Sequence, residues 1–217
     1  MSTELLKRIL SSIILIPGVI LITIEGSIIF NFFLVVCFFI ILYEWKNICK
    51  GKSYYYLGII FLIFSFYTIY LIRDFNNNYL YFFFILCICV STDIGGYVFG
   101  KLIKGPKLTS ISPNKTYAGL LGSFVLTIFS IFLFFESGFF FRYETNVTFI
   151  TYSLAILISF VSQIGDIAIS YFKRISNIKD TGNIIPGHGG LLDRADGIIF
   201  AFPFAYLIFS TKIIKFL

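Results

Sequence analysis

Apolar segments long enough to cross a lipid bilayer recur along the whole chain. A membrane-spanning helix needs about 20 mainly apolar residues, and this chain contains repeated runs of about 17 to 24. They predict seven helices, near residues 9–24, 27–43, 55–72, 79–99, 117–135, 147–170 and 195–211. The 217 residues are 58% hydrophobic and 13% charged, which excludes a water-soluble or disordered domain. We therefore expect an all-α, polytopic transmembrane bundle. It would form one domain over 1–217, with N-terminal helices in 1–75 and the other helices and two polar loops in 76–217.

Lysine and arginine are concentrated in alternate connections between these helices. Thirteen of the 17 precede helix 1 or follow helices 2, 4 and 6: Lys7, Arg8, Lys46, Lys50, Lys52, Lys101, Lys104, Lys107, Lys115, Lys173, Arg174, Lys179 and Arg194. The other connections hold Arg73, Arg142, Lys212 and Lys215. Because cytoplasmic loops carry an excess of these residues, both long polar loops, 100–116 and 171–194, are predicted to be cytoplasmic. We expect an integral protein of the cell (inner) membrane with its active site on the cytoplasmic face.

The segment 166–196 concentrates polar chemistry beside an apolar helix. It contains four of the eleven acids, four cations and the only histidine: Asp166, Asp180, Asp193, Asp196, Lys173, Arg174, Lys179, Arg194 and His188. Charge near hydrocarbon is costly and therefore indicates function. Asp166, Ser170 and Lys173 are four and three residues apart, so they share one face of a helix. A structural pair of Asp166 with Lys173 or Arg174 is the alternative.

Glycines and acids in the same segment indicate a site for a metal ion and phosphate. Gly189 and Gly190 permit backbone shapes that direct N–H groups at an anion. Asp193 and Asp196 are three residues apart and supply hard oxygen ligands. Mg²⁺ commonly takes one or two carboxylates together with substrate phosphates. The alternative is that Asp193 and Asp196 cap helix 7.

The loop after helix 4 is predicted to be the partner of this segment. It contains three lysines followed by the candidate phosphate-binding residues Ser112, Asn114, Lys115 and Thr116. Asp93 lies just before it, and Gly95, Gly96 and Gly100 would allow close packing on a neighbouring helix. An ordinary positively charged loop is the alternative. Gly95 to Lys101 resembles a Walker A loop, but Leu102 follows the lysine and the run lies in a membrane helix, which excludes that motif.

Together these residues offer carboxylates for a divalent metal and cations for several phosphates at a lipid boundary. Phosphoryl-type transfer needs charge neutralisation and positioning more than covalent help. A phosphate-bearing lipid could enter from the bilayer and a polyphosphate from the cytosol. The residues alone do not name the two substrates.

The motifs resemble those of a known enzyme family. The run from Ser170 through Lys173-Arg174 and Lys179-Asp180 to Gly189-Gly190, Asp193-Arg194 and Asp196 is similar to the signature of CDP-diacylglycerol synthases, also called phosphatidate cytidylyltransferases. The resemblance implies transfer of a cytidylyl group from CTP to phosphatidic acid. It implies Mg²⁺ held by Asp166 and Asp193, with Asp196 nearby and with cations neutralising the phosphates. Ala118 and Ile169 stand where the family usually has acids.

Other functions remain open on the sequence alone. One is a related CTP-dependent lipid kinase, or a cytidylyltransferase acting on another lipid acceptor. A transporter or channel for an anionic solute is disfavoured, because the charges cluster at one membrane face. The expected partners are CTP, phosphatidic acid and the bilayer, with no nucleic acid. A homodimer is left open.

Overall fold

The chain is folded entirely into helices and loops over the residues that the structure describes. This computed structural model describes residues 16–49, 51–75, 79–136, 148–184 and 189–211, and these contain no β-strand. The helices are α1 (Ile16–Glu25), α2 (Ser27–Cys49), α3 (Tyr55–Arg73), α4 (Leu80–Ile103), α5 (Tyr117–Glu136), α6 (Phe149–Ile175), α7 (Leu192–Ala195) and α8 (Ile198–Ser210). The predicted all-α class is confirmed.

Five helices, α2 to α6, are long and apolar enough to cross a membrane by length and composition. The described part of α1 and the 13 residues of α8 are shorter than a span requires. The prediction of seven spans is thus confirmed for five. Large apolar side chains face outward from α2, with Ile28 81% and Phe32 70% exposed, as expected of a surface that contacts lipid. The chain is an integral membrane protein.

Three helices continue past their predicted ends by four residues or more. α2 ends at Cys49 rather than near 43, α4 at Ile103 rather than near 99, and α6 at Ile175 rather than near 170. The charge of Glu44 follows the predicted end of α2 by one residue. Helix α2 buries Glu44, which is 1% exposed, and Trp45, which is 4% exposed, against the bundle. The extra turns of α2 carry an acidic side chain to the segment 181–192.

Helices α4 and α5 meet backbone to backbone. A Cβ atom added at Gly95 would lie 2.7 Å from both the carbonyl oxygen of Gly122 and the Cα of Ser123. One added at Gly119 would lie 2.7 Å from the carbonyl oxygen of Gly96. Ser123 Oγ donates to the carbonyl oxygen of Thr92 at 2.8 Å in the same contact. The close packing predicted for the glycines of this helix is confirmed, and it fixes the ends of the loop that joins α4 to α5.

A buried cluster of hydroxyl groups joins these two helices to α6. Thr92 Oγ1 donates to Ser159 Oγ at 2.7 Å, and Thr127 Oγ1 lies 3.4 Å from both. Hydrogen bonds of this kind, made away from water, hold neighbouring membrane helices in register. The relative positions of α4, α5 and α6 are therefore set by polar contacts as well as by packing.

The start of α8 crosses α6 at a second close contact. A Cβ at Gly165 would lie 2.6 Å from the carbonyl oxygen of Asp196, and one at Gly197 would lie 2.3 Å from Ser162 Oγ. Because Gly165 precedes Asp166, this crossing places Asp166 beside Asp196. The helix predicted near 195–211 begins only at Ile198, since Asp196 and Gly197 separate it from the short helix α7.

Candidate active site

Asp166 is paired with a lysine from the other polar loop. Lys115 Nζ lies 2.5 Å from Asp166 Oδ2, and Ser170 Oγ donates to Asp166 Oδ1 at 3.3 Å. Lys115 Nζ also reaches the carbonyl oxygen of Gln163 at 3.5 Å. The α4–α5 loop, predicted to be the partner of the segment 166–196, therefore meets that segment at the Lys115–Asp166 pair. The alternative pairing of Asp166 with Lys173 or Arg174 is not the one formed.

The loop between α4 and α5 is held in shape by its own backbone. Lys107 and Thr116 form an isolated antiparallel bridge, and Leu108 N donates to the carbonyl oxygen of Lys115 at 2.8 Å. Lys115 N donates to the carbonyl oxygen of Ser112 at 3.0 Å. Thr116 Oγ1 accepts from Gly119 N at 3.1 Å, at the start of α5. These contacts direct Lys115 at α6 and leave Asn114 exposed.

Asp193 contacts four donor groups, all of them from the segment that follows Asp166, and one of them, the Thr181 hydroxyl, also contacts Glu44. Lys173 Nζ lies 2.7 Å from Asp193 Oδ1. The second oxygen, Oδ2, accepts from Thr181 N at 2.8 Å, from Thr181 Oγ1 at 3.1 Å and from Gly190 N at 3.1 Å. Burial acts to raise the pKa of Asp193, but the hydrogen bonds from Lys173, Thr181 and Gly190 outweigh it and hold the pKa below its ordinary range. Asp193 is therefore a carboxylate at neutral pH.

The remaining acids gather around Asp166. The charges of Asp93, Asp166 and Asp196 interact with one another, and those of Lys115 and Arg194 act on Asp93. Asp196 is 7% exposed, and its Oδ1 accepts from Gly197 N at 2.8 Å. Of the two acids that could cap the last helix, only Asp196 contacts its start. Capping of the last helix was the alternative role for both acids, and Asp193 does not cap that helix.

The outer residues of the predicted site lie on the surface of the same region. Arg174, Lys179, Asp180 and Arg194 are exposed. Gly189 has a φ of +85°, which glycine adopts without strain, and a Cβ there would lie 3.1 Å from Asp193 Oδ2. His188 falls outside the described residues.

The donor chemistry fits Mg²⁺ without forming a ready-made cage. Among the described residues, no three His, Cys, Asp or Glu side chains converge closely enough to hold a metal ion as they stand. The two acids predicted as ligands, Asp166 and Asp193, are instead each paired with a lysine. A few carboxylate oxygens are what Mg²⁺ takes when phosphates and water supply its other ligands. A hard divalent ion bound together with a polyphosphate suits this arrangement.

Glu44 contacts the signature segment, residues 170–196, and was not among the site residues predicted from the sequence. Its carboxylate accepts from Thr181 Oγ1 at 2.8 Å, from Leu191 N at 2.9 Å and from Leu192 N at 2.8 Å. A signal was present, because Ile41, Trp45 and Ile48 are spaced as one face of a helix and Glu44 lies on that face. The predicted helix 27–43 ended one residue before this acid.

Comparison with known proteins identifies the family. A model of the cytidylyltransferase family matches residues 50–212. The chain belongs to the cytidylyltransferase family. A phosphatidate cytidylyltransferase of Rickettsia bellii (strain RML369-C) is 35% identical over 215 residues, covering 95% of this chain and 91% of that protein.

Other bacteria contain similar members of the cytidylyltransferase family. A phosphatidate cytidylyltransferase of Brucella suis biovar 1 (strain 1330) is 34% identical over 197 residues, 89% of this chain and 70% of that protein. One of Bacillus subtilis (strain 168) is 37% identical over 142 residues, 64% of this chain and 51% of that protein. The family model begins after Glu44, so the acid that contacts the signature segment lies outside the matched region.

Proposed function

We propose that this protein transfers the cytidylyl group of CTP to phosphatidic acid, giving CDP-diacylglycerol and pyrophosphate for phospholipid synthesis. The family match over residues 50–212 and the relatives named phosphatidate cytidylyltransferase support this reaction. The structural observation that carries it is two aspartate–lysine contacts: Asp166 of α6 with Lys115 of the α4–α5 loop, and Asp193 of α7 with Lys173 of α6. A site that binds two phosphate-bearing substrates at a lipid boundary needs charges of both signs there.

The reaction needs positioning and charge neutralisation more than proton transfer. A phosphate oxygen of the lipid forms a bond to the α-phosphorus of CTP, and the bond from that phosphorus to the bridging oxygen of pyrophosphate breaks. The attacking phosphate is already anionic, so no general base is required. Asp166 and Asp193 would hold Mg²⁺, which when bound supplies positive charge to the triphosphate.

The cations of the site have separable roles in this proposal. Lys115 and Lys173 hold the two aspartates and are placed to exchange a carboxylate for a phosphate oxygen. Arg174, Lys179 and Arg194 are exposed around them and would neutralise the outer phosphates. Ser112, Asn114 and Thr116 would add hydrogen-bond donors from the α4–α5 loop, Ser170 would add one from α6, and Gly189 and Gly190 would add backbone donors from the segment after α6. Asp180, in the same segment, would accept a hydrogen bond from the substrate. We also propose His188 as a catalytic residue.

The membrane arrangement is part of the proposal. We place the site on the cytoplasmic face of the cell (inner) membrane, because cytoplasmic connections between spans are rich in lysine and arginine. The connection after α4 is flanked by or contains Lys101, Lys104 and Lys107, and the connection after α6 is flanked by or contains Lys173, Arg174 and Lys179. We also propose that α1 and α8 cross the bilayer, giving about seven crossings in one domain. A homodimer is proposed and is tested by cross-linking in native membranes.

The decisive experiment follows two labels of CTP into lipid. Membranes containing the protein would be incubated with phosphatidic acid, Mg²⁺ and CTP labelled either in the cytosine ring or in the γ-phosphate. We expect ring label in the lipid phase, dependent on phosphatidic acid, and γ label in pyrophosphate. A γ label in lipid would indicate the lipid kinase instead. Ring label that enters lipid only with a different acceptor would indicate a cytidylyltransferase of other specificity.

A further inference from the structure

The carboxylate of Glu44 is enclosed by the signature segment. It is 1% exposed although it belongs to α2, far from that segment in the chain. A Cβ at Gly190 would lie 2.6 Å from Glu44 Oε2, and one at Gly182 would lie 2.8 Å from Oε1. Both glycines therefore leave space that the carboxylate fills. The signature glycines and Glu44 form one packed unit.

Two of the three donors to Glu44 are close in sequence to Asp193, and the third contacts Asp193 in space. Leu191 N and Leu192 N donate to its two oxygens at 2.9 and 2.8 Å, just before Asp193. The third donor is the hydroxyl of Thr181, at 2.8 Å. A carboxylate from another helix thus fixes the backbone at the start of α7. Burying a carboxylate is costly unless its oxygens are hydrogen-bonded, and these contacts meet that need.

Thr181 connects the two carboxylates directly. Its Oγ1 lies 2.8 Å from Glu44 Oε2 and 3.1 Å from Asp193 Oδ2, while its backbone N–H donates to Asp193 Oδ2. A hydroxyl has one hydrogen, so the two acids compete for it, and the shorter contact favours Glu44. Asp193 Oδ2 is then held mainly by the N–H groups of Thr181 and Gly190. Its other oxygen, Oδ1, faces Lys173.

We propose that Glu44 is a positioning residue for Asp193. By holding Thr181 and residues 190–192, it commits Asp193 Oδ2 to backbone donors and leaves Oδ1 as the oxygen that can exchange Lys173 for a metal ion. The inference rests on the proposed function, in which Asp193 is a metal ligand. Groups that orient a ligand in this way typically change metal affinity or activity by about 10- to 100-fold when replaced.

The test compares Glu44→Gln with the wild-type chain and with Glu136→Gln. Glutamine keeps the shape of glutamate but replaces one oxygen by a donor, so at least one of the three N–H or O–H groups loses its acceptor. Glu136 is an exposed acid at the end of α5, and its replacement makes the same chemical change away from the site. Each full-length protein would be purified in detergent. Amide hydrogen exchange of peptides covering 189–195, thermal midpoint and Mg²⁺ dependence of cytidylyl transfer would be measured.

We expect Glu44→Gln to speed amide exchange in 189–195 at least about tenfold, while amide exchange in α5 stays at the wild-type rate. The Mg²⁺ concentration for half-maximal transfer should rise about 10- to 100-fold. Glu136→Gln should match the wild type in every measurement. Unchanged exchange, or a lower thermal midpoint with unchanged Mg²⁺ dependence, would overturn the proposal, the latter because it would show a purely structural role.

Two further outcomes are distinguished by design. If Glu44→Gln does not fold, Thr181→Val and Thr181→Ser replace it: valine removes the hydroxyl contact with Glu44, and serine restores it. The valine variant should then raise the Mg²⁺ requirement and the serine variant should return it to the wild-type value; equal behaviour of the two would refute the connection.

If the wild type transfers no cytidylyl group, the proposed function fails, while hydrogen exchange at 189–195 still decides whether Glu44 holds this segment.

Discussion

Replacing Gly95 by alanine tests the close contact that carries Lys115 to the site. The added Cβ would lie 2.7 Å from the carbonyl oxygen of Gly122 and from the Cα of Ser123, whereas ordinary contacts are 3.4–4 Å. Both neighbours are backbone atoms of α5, so the helices must separate by about 0.7 Å or more to restore an ordinary contact distance.

The expected loss of stability follows from three contributions. Overpacking of this kind costs about 1–3 kcal/mol. Losing the hydrogen bond from Ser123 Oγ to the carbonyl oxygen of Thr92 costs about 1 kcal/mol more. Alanine regains about 1 kcal/mol over glycine as a helix former. The net loss is about 2 kcal/mol, which corresponds to a fall of about 4–8 °C in the thermal midpoint for a chain of this size.

The thermal midpoint can be measured with the buried cysteines of the chain. Cys49 and Cys89 are buried, so a thiol-reactive fluorophore in detergent would report unfolding as they become accessible. Gly18→Ala is the matched control, because a Cβ at Gly18 meets nothing within 4 Å. It should leave the midpoint unchanged or slightly higher. Equal midpoints for Gly95→Ala and Gly18→Ala would refute the backbone contact between α4 and α5.

Other predictions concern the site itself. Asp193→Asn should abolish cytidylyl transfer in a correctly inserted protein, whereas Asp74→Asn, the same change at an exposed position, should not; near-normal transfer by the first variant would remove the metal role. Transfer should require Mg²⁺ or Mn²⁺, and full activity in excess EDTA would contradict this. Because the folded-state pKa of Asp193 is lowered, its carboxylate contributes stability above its unfolded-state pKa and loses it as pH falls through the folded value. The stability advantage of the wild type over Asp193→Asn should therefore shrink on acidification, as followed by thermal midpoints across pH.

Local spacing was enough to predict contacts within one helix or between two glycine-rich faces. Asp166 and Ser170 hydrogen-bond as their four-residue spacing predicts, and Gly95, Gly96 and Gly100 face α5. Such contacts depend on helical periodicity, which the sequence contains directly. The prediction that the two polar loops lie at one membrane face followed from the excess of lysine and arginine in alternate connections between the spans.

Contacts made by chain reversal could not be predicted from spacing. Lys173 shares a helix face with Asp166, yet it pairs with Asp193, because the segment after α6 folds back across that helix. Asp166 takes Lys115 from a different loop instead. Glu44 was missed for a related reason: two of its three partners in the folded chain are backbone N–H groups, which no sequence pattern marks.

The contact between Glu44 and Leu192 has a consequence for biogenesis. α2 leaves the ribosome early, and its acid finds its hydrogen-bond donors only after α7 has been synthesised. Closing so long a loop is slow compared with forming single helices, so insertion of the early helices precedes completion of the site. An excised fragment that begins at residue 50, where the family match starts, would carry the whole signature and lack the carboxylate that the signature folds around. Under the proposed role of Glu44, a minimal catalytic fragment would therefore have to include α2.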